Sequence, residues 1–469
     1  MFSYSFRLYL PALCCCLLLG GCAVGPDFEP VSFNTQKKWV NAKGEKQYDH
    51  SRLHQWWKRL GDPTLNKLID EAVQSNLDIA VVKAQIQEAR SLRNKEIGSL
   101  FPEVAGSAST TRRKTADYTG IDPIQTTHQG LVDASWEIDI FGGNRRAIEA
   151  AYYNEDASKE QLRLALQILI GDVASTYIEA RNYQARLALA RRTAASQKET
   201  ASLIRTKYEA GTASEMDLAK AVSVASSTEA DIPTYRAGFS QAVHRLSVLL
   251  GKEPTALMGL MQGARPIPAP RSNLPKALPA VVLEQRPDIR IAEYQLAQKT
   301  ALIGVAQAAR FPRVTLTGNI STSSRRIGDL GRNSTIGWSF GPALSVPIFN
   351  AGQLKANVDA AYAQRDQAGL SFQQSVLDAL EEVENALVAL AQERIRFGSL
   401  SVAAQNQRKA TQLAKSLYQE GSTSFLEVLD AERSLYSSEA ALLQSRANVA
   451  TNFVTLAKAL GGGWDDPAP

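Results

Sequence analysis

Two stretches of the chain place apolar and small residues at alternating steps of four and three, the period of a packed helical seam. The first runs Leu162, Leu166, Leu169, Val173, Thr176, Ala180, Tyr183, Leu187, Ala190 and Ala194; the second runs Val376, Leu380, Val383, Leu387 and Leu390. Proline is absent between Pro123 and Pro233 and again between Pro347 and Pro467. Such gaps permit helices far longer than the globular norm. A helix from about Asn144 to Tyr208 would be roughly 100 Å long at about 1.5 Å per residue. Taken alone, this pattern describes an elongated coiled coil.

A second period argues for more than that. Val132, Ala134, Trp136, Ile138 and Ile140 alternate with Asp133, Ser135, Glu137 and Asp139. Val314, Leu316, Gly318 and Ile320 alternate with Thr315, Thr317, Asn319 and Ser321, and Ile336, Trp338 and Phe340 with Gly337, Ser339 and Gly341. A weaker strand of small residues follows Phe101. Segments of about ten residues with one apolar and one polar face suit tilted strands between lipid and water. A soluble sheet is the competing reading of the same alternation. Four strands cannot close a barrel, and lipid tolerates no open sheet edge. Membrane strands would therefore require several chains to share one barrel. The smallest barrels, of about eight strands, are filled by side chains. Three chains would give twelve strands and an open lumen, although the pattern itself does not fix the number three.

Both periods occur twice. Asn76-Leu77-Asp78-Ile79 matches Arg286-Pro287-Asp288-Ile289, and Phe101-Pro102 matches Phe311-Pro312, each at an offset of 210. Tyr208-Glu209-Ala210-Gly211-Thr212 matches Tyr418-Gln419-Glu420-Gly421-Ser422, and Leu250-Gly251 matches Leu460-Gly461, at the same offset. Ala151-Tyr152 and Ala361-Tyr362 keep it too, while Phe141 and Phe349 stand 208 apart, so a two-residue indel lies between these landmarks. Internal duplication organises the chain. Each repeat reads helix, strand, strand, very long helix, helix. The expected segments are a leader over 1–21, an extended segment over 22–60, repeat one over 61–254, a linker over 255–279, repeat two over 280–462 and a tail over 463–469. Five prolines between Pro266 and Pro279 make the linker extended.

The first 22 residues carry Arg7, an apolar run from Leu8 to Leu19, and Leu19-Gly20-Gly21-Cys22. This is the form of an export signal. All four cysteines, Cys14, Cys15, Cys16 and Cys22, lie here, so the body has no thiolate chemistry. The Leu-Gly-Gly-Cys ending resembles a bacterial lipobox, which implies cleavage before Cys22 and lipidation of its thiol. Ala23 in place of aspartate resembles an outer-membrane address.

Composition narrows the function classes. Among 469 residues, 52 Lys and Arg against 47 Asp and Glu leave a formal charge of +5, too small and dispersed for a nucleic-acid partner. With 44% hydrophobic residues, wholesale disorder is excluded. No phosphate loop, nucleophile elbow or zincin motif is present, so no cofactor is expected. His50 and His54 are spaced like a metal pair but lack further ligands, and His128 and His244 are isolated. No metal site is expected. Arg112-Arg113-Lys114 and Arg325-Arg326 follow the first strand of each repeat. They stand at its outer end, open to lipopolysaccharide phosphates or to solvent.

Cys22-Ala23-Val24-Gly25-Pro26-Asp27-Phe28, Trp56-Trp57, Asp62-Pro63-Thr64-Leu65, Arg-Pro-Asp-Ile at 286–289, Phe311-Pro312 and the two Tyr-x-x-Gly turns occur in a specific order. Together they resemble the TolC-like outer-membrane efflux lipoproteins, the outlet components of resistance-nodulation-division type pumps. The resemblance implies a mainly α protein with membrane β-structure. It also implies a homotrimer with a shared twelve-stranded barrel in outer-membrane lipid, a long α-helical barrel through the periplasm, and a mixed equatorial belt. The implied function is a passive conduit, lipid-anchored in the outer membrane. Its periplasmic tip is closed at rest and docks a periplasmic adaptor (membrane fusion) protein and an inner-membrane pump. A lipid-anchored coiled-coil scaffold without a pore, or an envelope enzyme, are the competing readings. Paired strands disfavour the first and the absence of a catalytic constellation disfavours the second.

Each very long helix ends at a glycine turn, Gly211 or Gly421, far along the chain from the strands. The resemblance makes Gly211, Thr212, Gly421 and Ser422 the adaptor-docking turns. Asp217 and Glu427 lie six residues past their glycines and Asp430 nine past, with Glu427 and Asp430 on one helix face. In family terms Tyr418, Glu427, Asp430 and Asp217 occupy gate positions. The same carboxylates also suit solvated helix starts, where they match the helix dipole. Some relatives carry a basic residue where this chain has Thr423, which leaves Lys220 or Arg433 to substitute.

Overall fold

The computed structural model describes residues 23–30, 39–40, 51–114, 124–271 and 279–463. Residues 1–22 with Cys22, His50, linker residues 272–278 and residues 464–469 lie outside the described residues. Repeat one comprises α1 (Pro63–Ser75), α2 (Leu77–Gly98), β1 (Glu103–Lys114), β2 (Ile124–Ile138), α3 (Gly143–Glu209) and α4 (Glu215–Leu249). Repeat two comprises α5 (Pro279–Gln285), α6 (Pro287–Ala308), β3 (Arg313–Ser324), β4 (Ile336–Ser345), α7 (Gln353–Gln419) and α8 (Phe425–Ala459). The pairs α2/α6, β1/β3, α3/α7 and α4/α8 each begin and end 210 positions apart. The strands β2 and β4 break the offset, at 15 and 10 residues.

Among the described residues one compact unit gathers 23–30, 84–114, 124–159 and 291–374. Its sheet has the order β1-β2-β3-β4, antiparallel throughout. Residues opposite one another in an antiparallel pair share a face. The register therefore aligns Val104, Ala134, Gly318 and Phe340, then Gly106, Val132, Ile320 and Trp338, on one side. Asp133, Asn319 and Ser339 align on the other. The alternation expected from sequence holds through Ile138, where β2 ends short of Asp139 and Ile140, and the apolar side is exposed: Trp338 and Phe340 stack at 5.9 Å with 70% and 77% of their surface open. The N-terminal segment is fastened in this unit. Val24 N–H donates to the Phe141 carbonyl at 3.1 Å. The Arg146 guanidinium donates to the Val24 and Gly25 carbonyls at 3.3 Å and to the Asp27 carboxylate at 2.6 Å. Gly25, at φ +101°, lies so close to Gly304 that a Cβ on it would stand 2.5 Å from the Gly304 Cα.

The second unit gathers 39–40, 51–83, 160–271, 279–290 and 375–463. Its core contains Trp56, Trp57, Leu65, Ile69, Val173, Ile178, Val243, Leu246, Val383, Phe453 and Val454, all buried. Full burial of such side chains stabilises by about 1.5–3 kcal/mol each. The four-and-three seams point inward: Leu169, Val173, Ala180, Ala190 and Ala194 on α3, and Val376, Val383 and Leu390 on α7, are buried. Asp62 caps α1 by accepting from Thr64 N–H at 2.8 Å, with Pro63 at the first helical position. Its other oxygen accepts from the Tyr177 hydroxyl at 2.7 Å. Burial, reinforced by that bond, pushes the Tyr177 phenol up to about 12. Arg181, fully buried, stacks on Tyr177 and donates to the carbonyls of Met261 and Gly263, which pins the start of the linker.

Duplication extends to single contacts. Asn76 Nδ2 donates to the Leu249 carbonyl at 2.8 Å, and Arg286, 210 residues on, donates to the Ala459 carbonyl at 2.7 Å. Arg286 also pairs with Asp288 and Glu382, each at 2.7 Å. Burial draws its pKa down, but these carboxylates outweigh that and hold it above the ordinary value. Pro233 lies inside α4, which runs through it. Proline frees one carbonyl, that of Glu229, and Pro233 itself is exposed, so water can serve the freed group.

Candidate functional site

The turns between α3 and α4 and between α7 and α8 share one backbone. Gly211 and Gly421 both sit at φ +75°. Thr212 N–H donates to the Lys207 carbonyl and Gly211 N–H to that of Tyr208, both at 2.8 Å. Ser422 N–H donates to Leu417 at 2.8 Å and Gly421 N–H to Tyr418 at 3.1 Å. This is the Schellman closure, which needs a left-handed residue. Nothing lies within 4 Å of a Cβ built on either glycine, so conformation rather than space requires glycine there.

Below the turns the hairpins hold together through an apolar cluster of Ala201, Ile204, Ala221, Phe425, Val428 and Leu429, against which Tyr418 packs. The Tyr418 ring lies 5.7 Å from that of Phe425. The Lys207 ammonium of α3 sits over the same ring at 4.2 Å, a cation–π contact that joins the two hairpins. On α8 the buried stripe is Phe425, Val428, Leu429 and Glu432, spaced i, i+3, i+4, i+7. Glu427 and Asp430 project from the exposed side and have no hydrogen-bond or ion-pair partner among the described residues.

Farther from the turns, polar links join the hairpins. Glu432 accepts from Lys415 at 2.6 Å and from the Thr200 hydroxyl of α3 at 3.2 Å. Lys415 also reaches Ser196 Oγ at 3.2 Å. The Tyr436 hydroxyl donates to Asp231 of α4 at 2.7 Å, and burial together with that bond drives its pKa well up. Asn182 and Arg186 of α3 both donate to Gln444 of α8.

The sequence-expected residues fall as follows. Tyr418, Glu427 and Asp430 gather on the α7–α8 hairpin. Asp217 lies on the other hairpin, in a capping box: it accepts from the Ser214 hydroxyl at 2.7 Å while its own N–H donates to Ser214 Oγ at 3.1 Å. The cation over the Tyr418 ring is Lys207 of α3. Lys207 and Glu432 were missed by sequence reasoning. Extending the apolar stripe of Phe425, Val428 and Leu429 by one turn would have flagged Glu432 as a carboxylate on the buried face.

The family model described as outer membrane efflux protein matches residues 68–252 and again 278–462, two copies at the 210-residue offset of the helices and strands. Nodulation protein T of Rhizobium leguminosarum bv. trifolii is 34% identical over 465 residues, covering 96% of this chain and 97% of that protein. The toluene efflux pump outer membrane protein TtgI of Pseudomonas putida is 35% identical over 458 residues, with 96% and 97% covered. The solved outer-membrane channel OprN matches with a TM-score of 0.86 at 34% identity, over 94% of this chain and 100% of that one. A twice-matched family model, relatives aligned end to end and a shared channel fold place the chain in the outer membrane efflux protein family, whose members are trimeric conduits and not enzymes.

Proposed function

We propose that the α7–α8 turn carries the periplasmic gate of this channel, with Tyr418, Glu427 and Asp430 as its gate residues and Asp217 supporting the neighbouring turn. One observation carries the reading: Glu427 and Asp430 share an exposed helix face beside a rigid glycine turn and have no described partner within the chain. In a trimer they become rings of carboxylates at a constriction, which favour cations. The channel serves as the outer-membrane component of a tripartite efflux system. A periplasmic adaptor docks on Gly211, Thr212, Gly421 and Ser422, and with an inner-membrane pump of the resistance-nodulation-division type dilates the tip. Cargo then leaves unchanged through the barrel. Cys22 carries the lipid that assists placement, after removal of residues 1–21. The relative TtgI belongs to a toluene efflux pump, but cargo choice here is assigned to the pump.

Single-channel conductance of the purified trimer in planar bilayers tests the gate. Wild type is expected to show a small, cation-favouring conductance that rises severalfold in Asp430→Ala and Glu427→Ala. A large wild-type conductance unchanged in both variants would keep the pore and discard the gate. No conductance from folded trimer would favour the anchored scaffold.

A further inference from the structure

The apolar side of the sheet ends in cations. The outermost apolar row aligns Ala108, Gly130, Thr322 and Ile336. The next row on that side is polar: Thr110, His128 and Ser324, with Thr110 Oγ1 and His128 Nδ1 at 2.9 Å. Beyond it on β1, the same alternation brings Arg112 and then Lys114, opposite Thr126 and Ile124 of β2. Arg113, between them, falls on the polar side with Gln125. Arg112 is thus four residues past the last apolar row. That is about 13 Å along a strand and about 10 Å in height at a tilt of about 40°, on the headgroup side of the apolar rows. Arg325 and Arg326 follow Ser324, the last residue of β3, past the paired register that assigns a side, and both are exposed. Asp329, the acid in that loop, is already paired with Arg332 at 3.0 Å. Neither Arg112, Lys114, Arg325 nor Arg326 has a described anionic partner.

We propose that Arg112, Lys114, Arg325 and Arg326 form a binding rim for the phosphates of a phosphorylated glycolipid in the outer leaflet, continuous with the lipid-facing side of the sheet. The chemistry is charge-assisted hydrogen bonding of guanidinium and ammonium groups to phosphate oxygens. Position selects a lipid over a free anion: Arg112 and Lys114 fall on the same side of the sheet as Val132, Ile320 and Trp338, so the acyl chains of a phosphate-bearing lipid held there lie along the apolar rows. The inference uses the membrane sheet and is independent of the gate.

The test is native mass spectrometry of the purified trimer with bisphosphorylated lipid A, dephosphorylated lipid A or inorganic phosphate. Wild type is expected to retain the bisphosphorylated lipid and to prefer it over the dephosphorylated form. Each neutralised cation is expected to weaken retention by about fivefold, and Arg112→Gln/Lys114→Gln/Arg325→Gln/Arg326→Gln to abolish the preference. Arg113→Gln, on the lumen side, is expected to leave it intact. Conductance recorded on the same preparations verifies assembly. The proposal fails if the fourfold variant, still conducting, binds the lipid like wild type, or if Arg113→Gln weakens binding as much as Arg112→Gln. It also fails if inorganic phosphate displaces the lipid fully at equal concentration.

Discussion

At both hairpin turns a glycine at φ +75° ends a 67-residue helix, and the same pair of backbone hydrogen bonds closes the loop. The hairpins differ a few residues later. In repeat one Ser214 and Asp217 cap each other, so the local carboxylate serves the fold. In repeat two Ser424 makes no side-chain cap, and the carboxylate three residues on, Glu427, remains exposed with Asp430 beside it. The buried stripe of α8 also admits Glu432, where α4 keeps its buried face apolar or small near the turn, with Ala221 and Ala225. Duplication preserved the backbone device that reverses the chain. The charge differs: repeat two places Glu427 and Asp430 together on one exposed helix face.

The anchoring of the two return helices offers the largest contrast. Arg286→Ala removes an ionic hydrogen bond to the Ala459 carbonyl and is expected to cost about 2–3 kcal/mol in denaturant unfolding. Asn76→Ala removes the neutral equivalent at Leu249 and is expected to cost about 1–2 kcal/mol. Equal losses would mean that the carboxylates around Arg286 add nothing. Next in size is the cap. Ser214→Ala is expected to lose about 1 kcal/mol with conductance unchanged, while Ser424→Ala loses almost nothing. A comparable loss at Ser424 would erase the distinction between the turns. The smallest effect concerns Lys207→Gln, which removes a cation–π contact of about 0.5–1 kcal/mol between hairpins. Open probability in planar bilayers is expected to rise modestly; an unchanged value would show that Lys207 does not restrain the tip.

Much of this arrangement was legible in the sequence because it is set by local period. The seams from Leu162 to Ala194 and from Val376 to Leu390, the alternation through Trp136 and Trp338, and the turns at Gly211 and Gly421 depend on residues near one another in the chain. What escaped depends on where distant segments meet. Lys207 is unremarkable until Tyr418 of the other repeat lies beneath it. Glu432 resembles any helical surface acid until α3 covers it with Thr200. Pro233 is a helix-interior proline, tolerated because it is exposed to water, which sequence period alone does not show.

The contact of Gly25 with Gly304 also orders events in time. Its partners are separated by most of the chain, and the seat for Val24, Gly25 and Asp27 combines Arg146 of repeat one with Gly304 of repeat two. Closing so long a loop is entropically slow and is rewarded only when both sides of the seat exist. The seat for residues 24–27 is therefore complete only once Arg146 and Gly304 stand together, so the tether is slack until that point.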